Sequence, residues 1–192
     1  MRLCVFLGSS VGRSLIYAET ARRFGTLLAE RGIGLVYGGG SVGLMGIIAD
    51  GACAAGGEVI GVIPEALQQR EVDHEGLSEL HVVKTMHERK ALMADLSDGF
   101  VAMPGGIGTF EELFEVWTWA QLGYHAKPCG LLNVNGFYDG MSMFIDHVVA
   151  EGFLKAGHRQ MLIVEEDAEV MLARMAHYLP PPTTKWIGHD DV

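Results

Sequence analysis

The sequence predicts an α/β domain built on a doubly wound, mostly parallel, Rossmann-like sheet, and three observations predict it. Short apolar runs alternate with longer amphipathic stretches from end to end, the rhythm of βα units. The runs are apolar at consecutive positions rather than alternate ones, as strands covered on both faces are. Glycine-rich loops (GSS, GGGSVG and PGGIGT) follow the first, second and fifth runs, at the carboxyl ends of strands where open parallel sheets bind ligands.

The elements follow in order. LCVFL is a first strand, and the stretch from about Ser14 to Arg31 has helical periodicity. GLVY is a second strand, with a helix from Val42 to Ala55. EVIGVIP is a third strand, after which Glu65 to Gly76 reads as a polar loop leading to LHVVK. A helix from Met86 to about Ser97 precedes GFVAMP, and a helix from about Phe110 to Leu122 follows it. CGLLNV, a helix near Tyr138 to Ala150, MLIV and a helix from Asp167 to Tyr178 complete the domain, taken as residues 1–179. The tail 180–192 opens with three consecutive prolines, which stop any helix, and is expected to be flexible.

With 192 residues, 49% of them hydrophobic, the chain can bury a sizeable core. A net charge of −10 argues against a nucleic-acid partner, because phosphate-backbone binders carry broad basic surfaces. An anionic ligand would need a local basic pocket. No run of 18 apolar residues suggests a membrane span, and the first apolar run is too short for a signal peptide. Cys4, Cys53 and Cys129 are odd in number and far apart, which fits buried thiols in a reducing cytoplasm. The eight histidines show no HExxH or similar spacing, so no metal site is expected.

Gly38, Gly40 and Gly43 have the G-x-G-x-x-G spacing between a strand and a helix, the setting of a dinucleotide loop. The loop follows the second strand rather than the first, however, and Glu58 and Glu65 are poor matches for the ribose-binding acid. Tight turning and close helix packing explain the glycines equally well.

PGGIGTFEE is more specific. Pro104 ends the strand, Gly105, Gly106 and Gly108 permit positive φ and close approach, and the following helix offers free amides and the positive end of its dipole to a phosphate. No G-K-[ST] follows, so this is not a Walker A loop. Thr109 and Glu112 have the T-x-x-E spacing of a capping box, and the spacing fits a cap and a catalytic carboxylate alike. In MHERKALMADLSD, Met86, Arg89, Lys90 and Met93 share one helical stripe. The two cations either point into a site or snorkel with their heads in water.

At these residues the chain resembles the Lonely Guy (LOG) family, the cytokinin riboside 5′-monophosphate phosphoribohydrolases, whose bacterial members are often labelled lysine decarboxylase-like. The resemblance covers nearly the whole chain: GSS, YGGGSVGLMG, the segment Pro64 to Glu71, MHERK, PGGIGTFEE and TWAQLGYHAKPCGLLNVNGFYD. It implies Arg89 and Glu112 at the catalytic positions. It implies substrate binding by Glu71, Arg89, Lys90, the run Gly105, Gly106, Ile107, Gly108, Thr109, Phe110, Glu111 and Glu112, and Thr118, with Ser9, Gly39 and Gly40 lining the same pocket. Ile107 takes the variable place of the motif, where plant members often carry Tyr.

The reaction implied is hydrolysis of the N-glycosidic bond of a purine nucleoside 5′-monophosphate to free base and ribose 5-phosphate. No cofactor is implied; the partner is the small-molecule nucleotide, and the assembly is a homodimer with sites near the subunit interface. A decarboxylase reading lacks a recognisable pyridoxal-phosphate lysine. Two other classes use the same loops: a nucleotide or cofactor carrier without hydrolysis, and an NAD-dependent oxidoreductase. Release of free base from a nucleotide separates the hydrolase from both.

Overall fold

The computed structural model describes residues 1–68, 74 and 76–182, so Glu71 and the segment 183–192 of the tail lie outside the described residues. All seven apolar runs form strands: β1 (Arg2–Phe6), β2 (Gly34–Tyr37), β3 (Val59–Pro64), β4 (Glu79–Val83), β5 (Gly99–Ala102), β6 (Cys129–Leu132) and β7 (Leu162–Glu165). They make one sheet in the order β4-β3-β2-β1-β5-β6-β7, with every neighbouring pair parallel.

The helices are α1 (Leu15–Glu30), α2 (Gly43–Ala54), α3 (Glu65–Gln68), α4 (Met86–Asp95), α5 (Ile107–Gln121), α6 (Asp139–Ala150), α7 (Ala156–Gln160) and α8 (Ala168–Ala176). Two of them were not expected. The segment read as a polar loop from Glu65 begins with the single turn α3, and the five-residue α7 precedes β7. Both are too short for hydrophobic periodicity to register.

Consecutive strand residues point to opposite faces and enter two separate cores. Leu3, Val5, Leu35, Tyr37, Val101 and Met103 pack beneath α1, α2 and α8. Cys4, Phe6, Val36, Phe100, Ala102 and Leu131 pack beneath α4, α5 and α6. This two-sided burial is why the runs lack alternation. α1 and α2 cross at backbone distance: a Cβ on Gly25 would overlap the Ile48 carbonyl and one on Gly51 the Arg22 carbonyl.

The chain winds outward from β1 to β4, then crosses back to place β5 on the other side of β1. The loops leaving β1 and β5 therefore part company at the carboxyl edge, which opens a crevice. The β5 loop is fixed there by hydrogen bonds from Gly8 N to Pro104 O (3.1 Å) and from Tyr138 Oη to Met103 O (2.6 Å).

Candidate active site

The crevice holds a cleft of about 270 Å³ lined by Leu7, Gly8 and Ser9 after β1, Gly38 after β2, and Met45 and Leu67. Arg89 of α4 and Gly106 to Thr109 and Glu112 of α5 complete it. A second lobe of about 290 Å³, walled by Tyr17, Leu44 and Phe137, adjoins it across Gly8, Ser9 and Gly106.

α5 starts three residues earlier than its periodicity suggests. Gly106 is the N-cap, with no side-chain cap bond, and Phe110 N already donates to Gly106 O at 3.2 Å. Thr109 therefore sits inside the first turn, buried, and Thr109 and Glu112 do not form a capping box. The same T-x-x-E spacing does cap α4: Thr85 Oγ1 accepts from Glu88 N at 3.1 Å, and Glu88 Oε2 accepts from Lys84 N at 2.8 Å. Glu112 is thus released from the capping role that its spacing allowed.

The loop glycines differ from one another. None of Gly105, Gly106 and Gly108 has positive φ, so the conformational reason expected for them does not apply. Gly105 is required by packing, because a Cβ there would overlap Thr109 Oγ1 and lie 2.8 Å from Gly8 N. Gly106 and Gly108 are exposed, and Cβ atoms on them would meet nothing within 4 Å. No side chain or backbone of the fold fills the space beside these two positions, which leaves the free amides at the start of the helix open to approach.

Glu112 faces Arg89, whose Nη1 donates to Glu112 Oε1 at 3.2 Å, and both side chains are about nine-tenths buried. Two backbone carbonyls hold the rest of the guanidinium: Nε donates to Val62 O (3.0 Å) and Nη2 to Gly38 O (3.4 Å). Burial pushes the Glu112 carboxyl up to about 6, partly offset by the Arg89 charge.

The helical stripe of α4 divides. Arg89 enters the cleft, whereas Lys90 turns to α5 and binds Glu111 Oε1 (2.5 Å) and Glu115 Oε2 (2.9 Å). Burial opposes the Lys90 charge, but the hydrogen bonds to Glu111 and Glu115 outweigh it and hold the ammonium above its ordinary value. Neither head group is left in water, as snorkelling would have it; Met86 is the exposed member of the stripe.

Other expected site residues lie elsewhere. Ile107, 81% exposed, stands at the lip of the cleft. Phe110 packs on Phe137 and Tyr138 with centroids 6.5 and 6.3 Å away. Gly39 has φ +79° and faces Ile63 and Leu80 of the sheet, and Gly40 is buried outside the lining, so Gly38 is the member of this triplet that reaches the cleft. Thr118 is exposed on another face of α5, in an apolar groove with Phe114, Trp117, Phe144, Ile145 and Phe153. Leu7, Met45 and Leu67 are lining residues that sequence reasoning did not propose; Gly8 and Gly38 were read only as members of the glycine loops, not as part of this cleft.

The dinucleotide reading loses its anchor. Leu44 N, at the start of α2, donates to Gly8 O at 3.0 Å, and a Cβ on Gly43 would overlap the Ser9 carbonyl. The β1 loop occupies the place where a pyrophosphate would sit in a G-x-G-x-x-G site. Among the described residues no group of three or more His, Cys, Asp or Glu is arranged to hold a metal ion.

The family model described as possible lysine decarboxylase matches residues 45–175. The cytokinin riboside 5′-monophosphate phosphoribohydrolase LOG of Oryza sativa subsp. japonica is 51% identical over 179 residues, covering 93% of this chain and 74% of its own length. An Arabidopsis thaliana relative of the same description is 48% identical over 190 residues, covering 99% and 86%. Among solved structures, the molybdenum cofactor carrier protein of Chlamydomonas reinhardtii superposes with a TM-score of 0.70 at 23% identity, covering 92% of this chain and 96% of its own. That likeness concerns the fold alone.

Proposed function

The chain belongs to the Lonely Guy family of cytokinin riboside 5′-monophosphate phosphoribohydrolases, and from that premise we propose how it hydrolyses the N-glycosidic bond of a purine nucleoside 5′-monophosphate. The observation that carries the reading is the buried Arg89–Glu112 pair set beside a helix start whose Gly106 and Gly108 face open space. The amides of that helix start bind the 5′-phosphate. The ribose is thereby held next to Glu112.

Breaking the bond between C1′ and the base nitrogen leaves positive charge on the ribose and negative charge on the base. Arg89 takes one oxygen of Glu112, and the other answers the ribosyl cation or orients the water that attacks C1′. Arginine does not give up its proton at neutral pH, so Arg89 acts by charge, stabilising the departing base and fixing the carboxylate. Water adds its hydroxyl to C1′ and its proton to the base, giving free base and ribose 5-phosphate.

The phosphate reading is tested by incubating the pure protein with AMP, with isopentenyladenosine monophosphate and with the two unphosphorylated nucleosides, followed by chromatography for free base. Base is expected from the monophosphates and little from the nucleosides. Equal rates on AMP and adenosine would remove the phosphate contact from the account.

We further place the protein in the cytoplasm as a homodimer. The buried free thiols Cys4 and Cys129 suit a reducing compartment, and no helix among the described residues is long and apolar enough to cross a membrane. The groove between α5 and α6 exposes Phe144 and Phe153, a surface suited to a second copy. Pairing there would bring Thr118 of one subunit toward the other. A monomer by analytical ultracentrifugation at micromolar concentration would exclude this assembly.

A further inference from the structure

We propose that Gly38 is a positioning residue for the reaction: its carbonyl and its missing side chain form, with the Val62 carbonyl, the seat that aims the Arg89 guanidinium at Glu112. The inference rests on the assignment of Arg89 and Glu112 to the chemistry. The seat lies between two neighbouring strands, just past the end of β2 and within the second half of β3. Gly38, just after β2, gives its carbonyl to Nη2 (3.4 Å) and Val62 of β3 gives its carbonyl to Nε (3.0 Å), which leaves Nη1 for Glu112 at 3.2 Å. Three acceptors around one planar fork fix its plane as well as its position.

The backbone does not require glycine here. Gly39 has φ +79°, but Gly38 is outside the positive-φ region, so no left-handed backbone demands glycine there. Space is what it gives up. A Cβ built on Gly38 would overlap Arg89 Nη2, approach Arg89 Cζ to 3.4 Å and stand 3.2 Å from Met45 Sδ. All three atoms belong to long, movable side chains. A methyl group at position 38 is therefore accommodated by moving the guanidinium, with the sheet left as it is.

Displacing Arg89 acts on the carboxylate. Glu112 is faced by Arg89 and Lys90 from α4, by Glu111 and Glu115 on its own helix, and by the buried Cys4 of β1. Lys90 is already bound to Glu111 and Glu115, so Arg89 is the cation paired directly with Glu112. Moving it back raises the Glu112 carboxyl further. The phosphate-binding amides of α5 are untouched.

The test is Gly38→Ala, alone and combined with Arg89→Ala, assayed for base release from AMP. The single variant is expected to fold, to lose on the order of 10²-fold in kcat with KM within a few-fold of wild type, and to shift the acid limb of its pH–rate profile upward. In the Arg89→Ala background the same substitution is expected to cause no further loss, because the side chain it displaces is gone. Four results would overturn the proposal: wild-type kcat in Gly38→Ala where Arg89→Ala is slow, an unmoved acid limb, losses that multiply in the double variant, or failure of both Gly38→Ala proteins to fold. An Arg89→Ala protein as fast as wild type would instead sink the assignment of Arg89 itself.

Discussion

Glu112→Gln is expected to lose at least about two orders of magnitude in kcat for AMP while melting at or above the wild-type temperature. The rate falls because the amide keeps the shape of the carboxylate and not its charge. Stability moves the other way, since Glu112 is buried and its carboxyl is raised to about 6.

The sign follows from linkage. A carboxyl raised in the folded state holds its proton more tightly there than in the unfolded chain. Its favourable contribution is complete below the unfolded value of 4.5 and is lost as pH rises through about 6. At pH 7 the charged group costs roughly 2 kcal/mol, and Gln removes that charge. Melting curves from pH 4 to 8 should show the two proteins converging on the acid side and the variant ahead on the neutral side.

The ratio of wild-type to variant kcat/KM, which cancels ionisation of the nucleotide phosphate, should fall as pH drops below about 6. A variant that hydrolyses AMP at the wild-type rate would take Glu112 out of the chemistry.

Arg89→Ala is expected to lose about 10²–10³ in kcat/KM and, unlike the Glu112 variant, to be clearly less stable. It leaves a buried carboxylate without its cation and takes the donor from Val62 O and Gly38 O. Removing one member of a buried pair costs on the order of 3 kcal/mol. The double variant Arg89→Ala/Glu112→Gln should recover part of that stability and none of the rate, measured by denaturant melts and by base release. Wild-type stability in Arg89→Ala would mean that water reaches Glu112 freely.

The strands were legible in the sequence because two-sided burial writes itself as unbroken apolar runs, as in GLVY and VIGVIP. The glycines of the β5 loop stood out in the sequence for positive φ and close approach; positive φ is absent, Gly105 is held by packing against Thr109 and Gly8, and only Gly106 and Gly108 have open space beside them. The start of α5 was misplaced because glycines at 106 and 108 argue against a helix by propensity, while the tertiary setting makes Gly106 its N-cap and puts Gly108 in its first turn. T-x-x-E occurs at Thr85 and at Thr109 with identical spacing, and only the first is a cap. Local spacing cannot tell them apart.

The seat of Arg89 was out of reach for another reason. It depends on β2 and β3 lying side by side, which brings Gly38 and Val62 to one side chain from 51 and 27 residues away. The division of the α4 stripe is likewise set by α5, which offers Glu112 to one cation and Glu111 with Glu115 to the other.

The open surroundings of Gly106 and Gly108 bear on how this chain would drift. A methyl group at either position meets no protein atom within 4 Å, and at 108, inside the helix, alanine is a better helix former than glycine. A library sorted for thermal robustness alone would therefore accumulate alanine at 108 and glutamine at 112, each change neutral or welcome to the fold, while the N-cap position 106 would keep glycine or gain a capping side chain. Every survivor would be sturdy, and the ability to grip and cleave a nucleotide would vanish from the pool unnoticed.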